Sequence, residues 1–418
     1  FLYVVNKQGV GSGRPWSPAE VAEIESTNEL AAWLLAMSAN PPADAGDRSV
    51  EWWRKKHNPA WLIAAMANAP EQDLPELLEA ARRVPFTAPA YESVAYYAVS
   101  REAARGHADV ARNWADRALS HTLQRSSRNL ILAERTRLAR DWSEYLRFGL
   151  RRPEPGIIES EGMEIPSEGM SIPPGNVPVF DRDMIDAFNA QVPLARWVDA
   201  SQNKILPADM QLRIAQVGWL RAVLLGKAEE ARKLMRRVLE LQPAAATVAQ
   251  GYLSARDADE AQFAALYLVL RTPSLAPALQ APENSTLNFG QARNIPSDGC
   301  WRCSFDRKPD AMNSSALTVA ERTAGEAEWR QIRAVEPWEA SYLARETLAW
   351  ARTHPDDPRV PEALHRAVLA SRYRQDSARP QNRLAEPVSG TYTEQAFTFL
   401  HRRYPKSEWT ARTKYWYK

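Results

Sequence analysis

Residues 226–243 read GKAEEARKLMRRVLELQP, and the fold class turns on them. Ala228, Ala231, Met235 and Val238 recur at intervals of three and four, so they share one face of a 3.6-residue helix, with the charged residues opposite. Just upstream, Val217, Leu220 and Leu224 keep the same spacing. Gly226 separates the two runs and Pro243 stands beyond the second, so the pattern is two helices joined by a tight turn.

The punctuation elsewhere agrees. The chain holds 30 prolines against 17 glycines, and the prolines fall between apolar-periodic segments, where a residue that cannot continue a helix still fits its first turn. In WSPAEVAEI (16–24), Ser17 is placed to cap, Pro18 to open the helix and Glu20 to close a capping box. GTYTEQAFTFL (390–400) repeats this with Thr391 and Glu394. Strand-like alternation is almost absent, and the expected class is all-α. Helices are expected around 17–39, 49–68, 73–83, 89–105, 107–121, 125–147, 181–199, 206–225, 227–241, 255–271, 316–335, 337–353, 358–373, 391–404 and 407–417.

Two long irregular stretches divide these helices. The first, RRPEPGIIESEGMEIPSEGMSIPPGNVPVF (151–180), contains SEGM twice, each followed by Ile-Pro. The second, APENSTLNFGQARNIPSDGCWRCSFDRKPDAMNSS, lies within 276–315. Stretches of this length act as functional loops or connectors. The expected organisation is an N-terminal helical segment (1–150), a connector (151–180), central helices (181–275), an irregular loop (276–315) and C-terminal helices (316–418). In the connector, Met163, Ile165, Met170 and Ile172 form a candidate partner-docking strip; burial against a neighbouring helix is the plainer reading.

Composition excludes several classes. With 53 basic and 51 acidic residues the formal charge is +2, and there is no basic block, which argues against a dedicated nucleic-acid binder. The aromatic-basic ending FTFLHRRYPKSEWTARTKYWYK (397–418) therefore reads as packed core with a solvated rim: Phe397, Leu400 and Tyr404 share a face, and Trp409 and Trp416 are two turns apart. No apolar run approaches the ~20 residues of a membrane span. The chain opens at Phe1 without an initiator Met, as a cleaved leader or a longer parent chain would explain.

Gly226, the small inner-face residues and Pro243 resemble the second half of a tetratricopeptide repeat. GHADVARNWADRALS (106–120) is similar, with Gly106, Ala108, Ala111, Ala115, Ala118 and Leu119 in matching places, and LAWARTHPDDP (348–358) and FLHRRYPKSEW (399–409) look like further helix ends of that kind. Small residues are needed where two helices cross closely. The partner helices mostly lack the aromatic-and-glycine pattern of good family members, so the repeats are degenerate. YPKSEW (404–409) resembles helix junctions of bacterial envelope repeat proteins; residues 1–418 do not include the lipid-attachment cysteine of such lipoproteins. The resemblance implies an α-solenoid of helical hairpins with two irregular loops. Its implied role is a non-enzymatic scaffold or protein-binding subunit of a larger envelope or extracellular assembly. The partner would be a protein or a second copy. The implied location is periplasmic or cell-surface in a bacterium, with the cytoplasm as alternative.

Chemistry-bearing motifs are few. CWRC places Cys300 and Cys303 together with no histidine following, no second ligand pair nearby, and a turn where a redox site needs a strand and helix, so a local disulfide is expected ahead of free thiols. THPDDPRVPEALH (353–365) collects His354, Asp356, Asp357, Glu362 and His365. Glu362 and His365 have the spacing of half a carboxylate-bridged metal site, but no second copy exists, and Asp357 as a cap before Pro358 reads better. EWWRKKHNPAWL (51–62) groups Trp52, Trp53 and Trp61 with Arg54, Lys55 and Lys56; core packing is favoured over a carbohydrate or cation–π platform. Asn284 and Asn313 match glycosylation sequons that matter only in a eukaryotic secretory setting. Gly-rich phosphate loops, nucleophile elbows and His-Glu-x-x-His motifs are missing. No cofactor, catalytic or metal residue is expected, and an α/α-toroid polysaccharide lyase or glycosidase is the rival class.

Overall fold

The structure, a computed structural model, describes residues 17–38, 40–152, 178–180, 182–271, 316–334, 339–372 and 391–416. Among these, the regular elements are twenty α-helices, two short 3-10 turns and two two-residue strands, β1 (Leu150–Arg151) and β2 (Val179–Phe180). The all-α expectation holds. The chain divides into two compact units, the first covering 17–152 with Ala316, the second 178–271 and 317–416.

The first unit holds α1 (Pro18–Thr27), α2 (Glu29–Ala36), α3 (Ala45–Lys56), α4 (Pro59–Asn68), α5 (Leu74–Arg82), α6 (Tyr91–Ala104), α7 (Ala108–Leu119), α8 (Arg125–Arg137) and α9 (Trp142–Phe148). The Ser17–Glu20 capping box is present, with Pro18 opening α1. The run expected at 17–39 splits because Asn28, in extended backbone, closes α1 and accepts from the Ala31 N–H of α2. The run at 49–68 splits at left-handed His57 (φ 49°), after which Asn58 caps and Pro59 opens α4. Packing is local: α3 lies on α4, α4 on α6, and α6 on α7 and α8. One apolar core, from Ala32 to Ile131, runs through them and includes Trp53, Trp61 and Trp114.

The second unit holds α10 (Arg182–Gln191), α11 (Leu194–Gln202), α12 (Ala208–Leu224), α13 (Ala228–Leu241), α14 (Ala246–Leu253), α15 (Ala258–Arg271), α16 (Val319–Ala334), α17 (Glu339–Thr353), α18 (Val360–Arg372), α19 (Tyr392–Arg403) and α20 (Glu408–Arg412). Pro193 breaks the run expected at 181–199, and α14 has no counterpart among the expected helices. α18 begins at Val360 rather than Pro358, because Asp357 accepts from the Arg359 N–H in the preceding turn. α20 stops at Arg412, so Trp416 lies beyond the helix that carries Trp409.

The hairpin that decided the fold class is α12–α13, and α6–α7 repeats it. At the first turn Gly106 (φ 79°) donates to Ala103 O and His107 N–H to Glu102 O; at the second Gly226 (φ 67°) donates to Val223 O and Lys227 N–H to Ala222 O. Both are the Schellman closure, in which a glycine takes a backbone conformation that costs other residues a Cβ clash. The helices after the turns bury matching faces, Ala111, Trp114, Ala115 and Ala118 in one, Ala231, Leu234, Met235 and Val238 in the other. Leu234 replaces Ala228 on the expected face, since Ala228 is exposed in the first turn.

Among the described residues one helix departs furthest from sequential packing. α12 packs on α13, α15 on α17 and α18, and α17 on α18 and α19, but α16 packs on α10, whose residues precede it by more than a hundred positions. Its crossing is close: a Cβ at Gly325 would overlap the carbonyl of Gln191, the last residue of α10. In the first unit α3 stands in this place relative to α4, with Gly46 against the carbonyl of Asn68. The second unit therefore takes its leading helix out of chain order.

Candidate functional site

The proposed docking residues Met163, Ile165, Met170 and Ile172, and the Cys300–Cys303 pair, lie outside the described residues, as do Asn284 and Asn313. The tryptophans of EWWRKKHNPAWL are placed. Trp53 and Trp61 are buried, Trp61 stacks on Trp52 at 5.1 Å, and its indole N–H donates to Glu29. Lys56 Nζ sits 5.3 Å over the half-buried Trp52 ring, so this cluster is helix-junction packing with a cation–π edge.

Glu362 and His365 share α18 but meet different neighbours. Glu362 turns to α15 and His365 to the segment after α20, where its Nδ1 lies 2.6 Å from Thr413 Oγ1. Among the described residues no three His, Cys, Asp or Glu side chains cluster as metal ligands.

A polar and aromatic layer joins α15, α17 and the start of α18. α15 contributes Glu260, Phe263, Tyr267 and Arg271, spaced three and four apart. The Phe263, Trp350 and His354 rings stack in series, at 4.8 Å and 3.7 Å between centroids. The Trp350 indole donates to Asp357 at 2.9 Å, and Arg359 pairs with the same carboxylate at 2.7 Å while lying over Phe263. Beside them the Tyr267 hydroxyl donates to Glu362 at 2.5 Å and Arg366 to the other carboxylate oxygen at 2.7 Å. Arg271 Nε lies 3.3 Å from that oxygen, close enough to pair in charge without hydrogen-bond alignment.

The electrostatics follow from this pairing. Burial would raise the Glu362 carboxyl, yet the Tyr267 hydroxyl and Arg366 hold it below its ordinary value. Burial, then the hydrogen bond to Glu362, raises Tyr267. Asp357 is likewise held low against its burial by the Arg359 and Trp350 hydrogen bonds. The layer thus holds ionised carboxylates already matched by guanidinium groups, and a phenol that stays protonated. A general acid needs a raised carboxyl and a general base a free one, whereas this arrangement locks helices together.

The second feature was missed in sequence. Arg221 of α12 is fully buried, with its guanidinium 4.8 Å from the Trp197 ring of α11 and 5.4 Å from the Trp329 ring of α16. Nη2 donates to Asn189 O at the end of α10, while Nε and Nη1 have no partner. Burial pulls the group down to about 10, opposed by the charge of Glu328. Glu328, raised by its own burial, accepts from the Leu194 N–H at 2.7 Å. In α6, Arg101 stands as far before Gly106 as Arg221 before Gly226, and it reaches the end of α4, donating to Met66, Ala67 and Ala69 carbonyls at 2.7–3.1 Å. Arg237 of α13 does the same at the end of α11, through Ser201 O at 2.9 Å. Arginines thus tie a helix to the carbonyl end of the helix two before it, where the helix dipole favours a cation. The sequence signal was an arginine inside the apolar run GWLRAVLLG.

No family model matches the chain, and no curated protein or solved structure matches it.

Proposed function

We propose that the chain is a tetratricopeptide-like α-solenoid acting as a non-enzymatic scaffold, a protein-binding subunit of a larger assembly in a bacterial envelope. The observation that carries this reading is the repeated hairpin: α6–α7 and α12–α13 share the Schellman turn, the buried face and the arginine tie to the helix two before. A module whose contacts are made with its next neighbours is how repeat arrays build extended binding surfaces. The paired state of Glu362, Asp357 and Tyr267 supports a scaffold over a toroid lyase or glycosidase. The junction at Tyr404, whose hydroxyl donates to Pro355 O at 2.5 Å and whose following Ser407 caps α20, supports the envelope placement through its resemblance to envelope repeat proteins.

The test pairs cross-linking mass spectrometry in the native cells with reconstitution. A neighbour identified in the envelope fraction should form a stoichiometric complex with the purified chain. Release of sugar ends or unsaturated uronates from a polysaccharide panel, abolished by Tyr267→Phe or Glu362→Gln, would replace this reading with the toroid enzyme.

A further inference from the structure

The helices of the first unit pack in chain order: α1 on α2, α2 on α3 and α4, α4 on α5 and α6, α6 on α7 and α8, and α8 on α9. α1–α2 and α8–α9 are therefore the two ends of that order, and they differ in charge. Residues 17–47 hold six acidic and no basic residues, a net of −6; residues 125–152 hold eight basic and three acidic residues, a net of +5. The formal charge of +2 for the whole chain conceals this polarity.

Each end also turns an apolar residue outward. α2 buries Ala31, Ala32, Leu35 and Ala36, and its opposite side carries Leu30, 56 % exposed, with half-buried Leu34 one turn on. α1 is tied to α3 by Glu25 and Arg48 at 2.8 Å, while Glu23 on α1 and Asp47 on α3 are exposed and outside any ion pair among the described residues. At the other end α8 buries Ile131, Glu134 and Arg135 and turns out Leu130, 52 % exposed, with exposed Ser126 and Arg137 on the same stripe. Arg147 on α9 is exposed and unpaired, as is Arg152 beyond it, whose carbonyl accepts from Asn129 of α8 at 2.8 Å.

An apolar centre with charge of one sign around it is the make-up of a protein interface, and here the two ends have it with opposite signs. Like-charged ends repel, so the match is between unlike ends, a heterologous contact that adds copies in line. We propose that the first unit binds a second copy of this chain head to tail, the acidic α1–α2 end of one copy seated on the basic α8–α9 end of the next. This rests on the scaffold reading and names a partner for it. The two fail separately, because polysaccharide turnover would sink the scaffold without touching self-association.

Sedimentation velocity of the full chain should show assemblies growing as concentration rises to about 0.1 mM, and raising salt from about 0.05 M to about 0.5 M should weaken them about tenfold. Glu23→Lys with Asp47→Lys spoils the acidic end, and Arg147→Glu with Arg152→Glu the basic end. Each variant keeps one end intact, so each alone should self-associate about tenfold more weakly, while a mixture of the two should form one-to-one dimers. A parent that stays monomeric leaves the basic end to a foreign acidic partner and overturns the proposal. Association that salt leaves unchanged, that either variant keeps, or that the mixture fails to restore overturns it too. If a variant loses its helical spectrum, hydrogen exchange on the parent decides: protection gained with concentration should fall on α1–α2 and α8–α9 together, and protection at one end alone overturns the head-to-tail contact.

Discussion

Gly46 in α3 and Gly325 in α16 occupy equivalent positions. Each stands where a Cβ would overlap the carbonyl of the last residue in the helix it crosses, Asn68 of α4 and Gln191 of α10. A backbone carbonyl at a helix end cannot rotate aside as a side chain would, so these two glycines set how closely the helices approach.

Alanine at either position should therefore destabilise its unit by about 1–3 kcal/mol, overpacking outweighing the better helix propensity. Gly251→Ala in α14 is the control, since its Cβ would meet only Arg359 Nη1 at 3.7 Å, an ordinary contact. It should be neutral or stabilising by up to about 1 kcal/mol. Urea midpoints decide, and a Gly46→Ala or Gly325→Ala chain as stable as its parent would refute the close-crossing argument.

Equivalent arginines should respond differently to removal. Arg101→Met strands three carbonyls at the end of α4, a loss of about 1–3 kcal/mol. Arg221→Met removes one hydrogen bond and two ring contacts of ~0.5–2 kcal/mol each, and also removes two unpaired buried donors. Those contributions oppose one another, so Arg221→Met should lie within about 1 kcal/mol of the parent. Equal losses for the two variants in denaturant titration would show that unpaired donors do not govern Arg221.

Local signals in the sequence translated directly into structure. The Ser17–Glu20 box, the Thr391 cap and both turn glycines are decided by residues within one helical turn of each other. What was not legible depends on residues far apart. The pattern of α16 shows an apolar face but not that the face meets α10, because many grooves accept a three-four stripe and only Gly325 facing Gln191 selects one. Arg221 lies inside an apolar run, and its role depends on Trp197 and Trp329, which only the fold brings around it. Helix splits at Asn28 and Asn58 were obscured for the opposite reason: the apolar spacing continues through a cap that turns the chain.

Acid should weaken the first unit through Glu144. This carboxylate on α9 is 15 % exposed; burial would raise it, but Arg140 and Arg135 draw it down to about 2. A group depressed in the folded state contributes stability above its unfolded value, and that contribution fades as pH falls through the ordinary carboxylate range toward 2. Glu144→Gln should thus be less stable than the parent at pH 7, with the difference closing by about pH 2. A gap that stays constant over this range would mean the pairing with Arg135 and Arg140 does not drive it.

The C-terminal end should depend on one hydroxyl. Thr413, fully buried, donates its hydrogen to Trp409 O at 2.7 Å, so toward His365 it accepts, and the His365 Nδ1 carries the hydrogen. Its carbonyl accepts from His401 Nε2 at 2.8 Å, which ties α18, α19 and the segment after α20 at a single residue. Thr413→Val keeps the shape but takes away the hydroxyl to which the Trp409 carbonyl and the His365 N–H both bond, at a cost of about 1–3 kcal/mol. Thr413→Ser keeps the hydroxyl and loses a methyl, worth about 1 kcal/mol or less. Hydrogen exchange over α20 should rank parent, Ser and Val in order of falling protection. The inverse order, Ser looser than Val, would assign the anchoring to methyl packing and remove the hydroxyl from the account.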